Sequence, residues 1–173
     1  RLGRAVVAEM NRVGMVVDMS HSGERSTLEA IAHSTRPIAI THANPASWHA
    51  ARRNKSDRVL QALAESGGIL GFSLYPHHLA GGSACTIAAF CEMIARTADK
   101  IGIGALAIGS DLCQDQPDTV VEWMRSGRWT KTVDFGEGSP DAPGFPPMQP
   151  WFRDNRDFAA IADGLGEIYR AGP

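Results

Sequence analysis

Four short apolar runs, bounded by glycine and proline, constrain this 173-residue chain more than any other feature. They are GMVVDMS (14–20), PIAITH (37–42), GGILGFSLY (67–75) and ALAIGSD (105–111). Each is close to continuously hydrophobic rather than alternating, the pattern of strands buried on both faces of a parallel sheet. Helical patterns separate them. Residues 24–33 form one, with Ser22 as a candidate cap, and 57–66 form another, stopped by Gly67. The clearest covers 86–101, where Ile87, Phe90, Cys91, Ile94, Ala98 and Ile101 keep helical spacing. The first residues, RLGRAVVAEMNRVG, read as the later part of a helix with Leu2, Val6, Met10 and Val13 on one stripe and Gly14 as its stop. The order is helix, then strand–helix three times, then a strand, which is repeated βα architecture in the α/β class. Beyond Asp111 the pattern breaks. SPDAPGFPPMQP (139–150) is too proline-rich for a regular element, and a last helix is expected from about 156 with Phe158, Ile161, Leu165 and Ile168 on one face.

The polar residues are not scattered. The runs end, in order, in Asp18, Ser20 and His21; in Thr41 and His42; in Tyr75, with His77 and His78 just beyond; and in Ser110 and Asp111. In parallel α/β folds the ligand site lies at the carboxyl ends of the strands, so four such endings at one end form a constellation. Adjacent strands lie about 4.8 Å apart, which lets imidazoles at neighbouring ends reach one ion. Neutral imidazole suits zinc, but two histidines do not complete a zinc site, and a third protein ligand is required. Asp111 has three readings: a ligand, a general acid/base or a turn residue. Facing two histidines, acid/base work is the sharper one.

Other candidates read more plainly. His33 fits a helix C-terminus and His49 a polar loop; of the adjacent His77 and His78, at most one is expected to face the mouth. ARRNKSD (51–57) is a solvated basic loop unless Arg52 or Arg53 clamps a carboxylate with its planar fork. Trp123, Trp129 and Trp151 fall with Phe145 and Phe152 in the irregular tail, as packing or as a lid over the mouth. Three cysteines at irregular spacing (Cys85, Cys91, Cys113) suggest neither a disulfide framework nor a metal knuckle. The net charge of -2 gives no nucleic-acid footprint, and no apolar run approaches a membrane span.

VVDMSHS, PIAITHANPASWHAARRN, GGILGFSLYP and ALAIGSDL together resemble the renal, or membrane, dipeptidase family of zinc peptidases. The family's pattern is a strand ending in Asp-x-Ser-His, one ending in Ser-His-Ser/Ala, an Arg-Asn loop, and a strand ending in Gly-x-Asp; all four occur here in order. The resemblance implies a (β/α)8 TIM-like metallo-hydrolase barrel, of which this chain would carry about strands five to eight. The chain would be a single partial barrel domain over 1–173, with 112–155 an irregular loop region on the active-site side and 156–171 a closing helix. His21 and His42 would bind one of two zinc ions. Arg53 would hold the C-terminal carboxylate of a dipeptide, with Tyr75 among the substrate contacts, and Asp111 would protonate the leaving amine. The family's His-x-Asp metal pair, its bridging carboxylate and a substrate-contacting histidine have no counterpart here. They would come from a missing N-terminal half, so this chain alone is expected to be inactive. A homodimer is an open option for the complete protein, and no compartment is implied. Rival readings are a metal hydrolase of cyclic amides or lactones, and a non-catalytic metal-binding fragment.

Overall fold

The computed structural model describes residues 2–113, 116–117, 119–120 and 145–171. Its centre is a three-stranded parallel sheet of β1 (Ala39–Ala43), β2 (Ile69–Phe72) and β3 (Leu106–Ile108), in that spatial order. Among the described residues these α-helices accompany it: α1 (Leu2–Val13), α2 (Glu24–His33), α3 (Asp57–Glu65), α4 (Ile87–Ile101) and α5 (Phe158–Ala171). This is the α/β organisation expected from the sequence. The core lies between the sheet and α3, α4 and α5, where Phe72, Phe90, Leu60, Leu63 and Leu70 are fully buried. Trp151 and Phe152 belong to this packing and not to a lid. Phe152 is buried, and the Trp151 indole N–H donates to the Cys85 carbonyl at 2.7 Å. Trp123 and Trp129 lie outside the described residues.

The helix limits follow local chemistry. Ser56 and Thr86 cap α3 and α4 through side-chain oxygens that accept from Val59 and Ala89 N–H. Gly14 and Gly67 end α1 and α3 at φ 76° and 74°, a conformation that favours glycine. Ser22 does not cap α2. Gly23 takes that position, and the Ser22 carbonyl is instead engaged by Lys55.

Two further expectations need correction. The run 14–20 forms no strand here, only a single parallel bridge from Asp18 to Ala39, with Met15 and Val16 exposed. It pairs on one side through two hydrogen bonds, Met19 N–H to Ala39 O and Ala39 N–H to Val17 O, each 2.9 Å. Among the described residues nothing pairs with its other edge. Likewise the stripe expected to bury α1 is turned outward at Leu2, Val6 and Val13, while Val7, Met10 and Asn11 face the protein. Asn11 is buried because its carbonyl oxygen accepts from Thr35 N–H and from the Ser34 and Thr35 hydroxyls, pinning the α2–β1 connection.

β1 is bulged. Ala39 pairs with Ile69 and Ile40 with Leu70, but Ala43 pairs with Phe72, so Thr41 and His42 together face one residue, Gly71. The bulge drives the Thr41 carbonyl across the sheet, where it would overlap any Cβ on Gly71 or on Gly109. Two glycines are therefore required for steric reasons alone. Gly71→Ala and Gly109→Ala should each destabilise the fold by about 1–3 kcal/mol or more, since backbone must move to admit the methyl group. Gly3→Ala, with open space around the new Cβ, should be neutral or slightly stabilising. Urea unfolding midpoints of the three variants check this.

Candidate functional site

At the carboxyl end of the sheet the run 14–20 and β1 bring two imidazoles together edge-on, at 66° between their planes. His21 Nε2 and His42 Nε2 are 3.1 Å apart, with ring centroids at 5.1 Å. Two nitrogens bound at 2.0–2.1 Å to one tetrahedral ion would stand about 3.3–3.4 Å apart, so this pair has the spacing of ligands to a shared metal. Asp111 Oδ1 lies 3.8 Å from His42 Nε2. Asp111 is the only non-glycine with positive φ (54°) among the described residues, a conformation aspartate tolerates better than most side chains. No group of three His, Cys, Asp or Glu side chains among the described residues could hold an ion unaided. The donors present thus fit part of a metal site.

One carboxylate organises both histidine-bearing segments. Asp18 Oδ1 accepts from Ser20 N–H (2.9 Å), the Ser20 hydroxyl (2.6 Å) and Thr41 N–H (3.2 Å), and Oδ2 accepts from the Thr41 hydroxyl (2.8 Å). Burial works to raise the Asp18 pKa, but these four bonds outweigh it and hold the carboxyl at about 2. The Ser20 oxygen in turn accepts from His42 N–H at 3.1 Å, and Thr41 Oγ1 lies 2.8 Å from His42 Nδ1. Burial lowers the His21 pKa, and the nearby Arg53 and His42 add to this against the opposing Asp111 and Asp18. The net shift favours the neutral ring that metal binding needs.

The loop after β1 supplies the cations. Arg52 points to solvent, whereas Arg53 is half-buried, with Nε and Nη2 shut off from solvent and bonded to no partner. Burial lowers its pKa, while Asp111, Asp18 and Tyr75 are close enough to oppose that shift. Lys55 was read from the sequence only as part of a solvated basic run. It is buried, and its ammonium donates to the carbonyls of Met19 (2.9 Å) and Ser22 (2.7 Å), clamping the turn that carries His21. Burial, then the Arg53 charge, pushes it down to about 8. No spacing signature announces such a residue, because its partners are main-chain carbonyls more than thirty positions away.

A second set of buried polar groups locks the strand ends. Asn44 donates to Ser73 O and His78 O and accepts from Ser73 N–H, each at 3.0 Å. Asn54 accepts from Asn44 N–H and donates to His49 O and His78 O. Of the adjacent histidines, His78 is the inner one, 3% exposed, with Nδ1 2.8 Å from Ser73 Oγ. His77 is exposed and stacks on Tyr75 with ring centroids at 5.7 Å. Tyr75, whose ring also contacts His78 at 5.3 Å, lies on the Arg53 side of the site. His33 binds the Glu29 carbonyl at the end of α2, away from this cluster. A separate cleft of about 380 Å³ between α3 and α4 contains none of these residues; its Lys100 is already paired with Asp57 at 2.7 Å.

His78 makes the fold acid-sensitive. Burial first, then Arg53 and the neighbouring histidines, push its pKa from 6.5 down to about 3. As pH falls the unfolded chain takes this proton first, so the contribution is whole above pH 6.5 and drains away towards pH 3. Stability should drop with a slope of about 1.4 kcal/mol per pH unit from this residue. Urea titrations between pH 7 and pH 4 should show that slope, and His78→Asn should flatten it.

A profile of the membrane dipeptidase family, peptidase family M19, matches residues 1–125. Dipeptidase aclJ of Aspergillus oryzae is 37% identical over 112 residues, covering 63% of this chain and 26% of that protein. An amidohydrolase from Pseudomonas aeruginosa superposes with a TM-score of 0.77 at 29% identity, over 98% of this chain and 50% of its own. A metallopeptidase described as dipeptidase AC, of family M19, superposes at 0.59 with 27% identity, over 62% of this chain and 32% of its own. The chain thus spans about a quarter of the length of the curated relative and half of the amidohydrolase. With a profile match over most of its length and the strand-end motifs in order, the chain belongs to the membrane dipeptidase family, peptidase family M19.

Proposed function

We propose that these residues are one half of a zinc dipeptidase site, completed by an N-terminal half of a (β/α)8 barrel in which this chain supplies about strands five to eight. His21 and His42 would hold one of two zinc ions through Nε2. The carrying observation is Arg53. A half-buried guanidinium with two unbonded nitrogens, beside a facing pair of imidazoles, is a socket for an anion. A dipeptide brings that anion as its C-terminal carboxylate, and Tyr75 lines the same side. Bound zinc would supply Lewis acidity and an activated water. The chain's own residues do the rest. Arg53 fixes the substrate end, which orients the peptide bond towards the histidine pair. Asp111, 3.8 Å from His42 Nε2, takes a proton from the attacking water and passes it to the leaving amine. The family relationship and the α/β fold support this reading.

A second reading, hydrolysis of cyclic amides or lactones, draws support from the amidohydrolase superposition. Arg53 separates the two, because a cyclic amide offers no free carboxylate. In the complete protein, Arg53→Lys should weaken free-acid dipeptides by about 10–1,000-fold in kcat/KM while changing an amidated analogue little, since lysine keeps the charge but loses the fork. Equal losses on both substrates would mean that Arg53 only supports the fold.

Asp111→Asn tests the proton shuttle in the same protein. It should retain metal and fold while kcat falls by about 10²–10⁴-fold. Loss of metal, read by elemental analysis, would make Asp111 a ligand, and kcat within a few-fold of wild type would make it a turn residue.

A further inference from the structure

The hydrogen-bond geometry around Thr41 decides something the metal reading leaves open: which nitrogen of His42 carries the proton. Asp18 is surrounded by four donors and has no proton to give. The single Thr41 hydroxyl hydrogen is therefore committed to Asp18 Oδ2 at 2.8 Å. Were it turned to His42 Nδ1 instead, two lone-pair-bearing oxygens would face each other at that distance. With its hydrogen spent, Thr41 Oγ1 can only accept from His42 at 2.8 Å, so His42 Nδ1 is the donor. The ring's remaining nitrogen, Nε2, then has a free lone pair and faces His21 Nε2 at 3.1 Å. In the metal-free protein that contact is satisfied when His21 supplies the hydrogen, which would leave Nε2 when zinc binds. The same carboxylate holds His42 a second way. Ser20 gives its hydroxyl hydrogen to Asp18 Oδ1 and accepts the His42 main-chain N–H.

We propose that Asp18 and Thr41 form a positioning relay that fixes His42 as its Nδ1-protonated tautomer, aiming the Nε2 lone pair into the metal site. The proposal rests on the reading of His42 as a metal ligand and extends it to two residues that touch neither metal nor substrate. Ligating histidines commonly donate their second nitrogen to a carboxylate. Here a hydroxyl stands between the two, because the β1 bulge puts Thr41 and not an acid next to the ring. A purely structural role for Thr41, as glue for the bulge, would make no demand on the tautomer.

The test uses the complete protein, uniformly labelled with nitrogen-15, with its metal removed and then titrated with zinc. Two-bond proton–nitrogen correlation spectra of the metal-free protein should show His42 with Nδ1 protonated. Thr41→Val, close to isosteric, should shift His42 towards the Nε2-protonated form and weaken zinc binding, measured by chelator competition, by about 10–100-fold. Thr41→Ser should restore both. Asp18→Asn should disturb the tautomer in the same direction, and Thr41→Val carries the test if that variant fails to fold. A wild-type His42 protonated on Nε2, or a Thr41→Val protein with wild-type tautomer and zinc affinity, overturns the relay. His42→Ala distinguishes a different failure: full zinc content in that variant would remove His42 from the metal site and the relay's purpose with it, whatever the spectra of Thr41→Val show.

Discussion

The bulge in β1 is the constraint on which the rest depends. One extra residue between Ile40 and Ala43 breaks the strict alternation of a strand at the point where chemistry begins. It turns Thr41 and His42 out of register, so that one side chain meets Asp18 and the other meets His21. The cost is a main-chain carbonyl thrown across the sheet. Only glycine at 71 and 109 gives it room, which explains one glycine inside β2, whose propensity it weakens, and another just past the end of β3.

Around that bulge the polar groups divide into two sets with different energetics. Asn44, Asn54, Ser73 and His78 are buried and bonded to one another and to strand-end carbonyls, and such satisfied networks fix geometry at little net cost. Asp18, His21 and Thr41 lie on an exposed face of this chain, where water competes for every bond. Lys55 links the sets. Its buried ammonium reaches the turn of His21 from the loop that also places Arg53, so the proposed metal pair and the proposed substrate clamp are not independent in position. Moving one of these segments moves the other.

Much of the fold was legible in the residues, for reasons that can be named. α4 and α5 carry apolar side chains at helical spacing against a single core, and the caps at Ser56 and Thr86 are local chemistry. The convergence of His21, His42 and Asp111 was legible because parallel strands deliver their carboxyl ends to one side. What escaped was non-local. Run 14–20 has strand composition, but with one partner it makes a bridge and no ladder. The outward turn of Leu2, Val6 and Val13 cannot be read from a stripe, which has the same spacing whether or not anything covers it. Lys55, Asn44 and Asn54 act through main-chain carbonyls far along the chain, and carbonyls have no sequence. The bulge itself left a trace, two glycines in apolar runs, but no spacing ties Gly71 and Gly109 to Thr41.

Arg53 shows where the fold leaves its polar accounting open. A buried, unbonded donor on a charged group costs at least about 1–3 kcal/mol, and Arg53 holds two such nitrogens. Nearby groups of the same loop are engaged: Asn54 makes three hydrogen bonds and Lys55 two from its side chain. The deficit is therefore local to one side chain, and it is not relieved although Asp18 and Asp111 are close enough to act on it electrostatically. Asp18 is saturated by its four donors, and Asp111 is held towards His42 in a left-handed conformation. Each acid that could neutralise Arg53 is thus turned to another partner. A guanidinium left unpaired with two acids nearby is what the proposed carboxylate clamp requires, and the same arrangement leaves the Asp111 oxygen 3.8 Å from His42 Nε2. The instability at Arg53 and the readiness of the proposed substrate site are one physical fact.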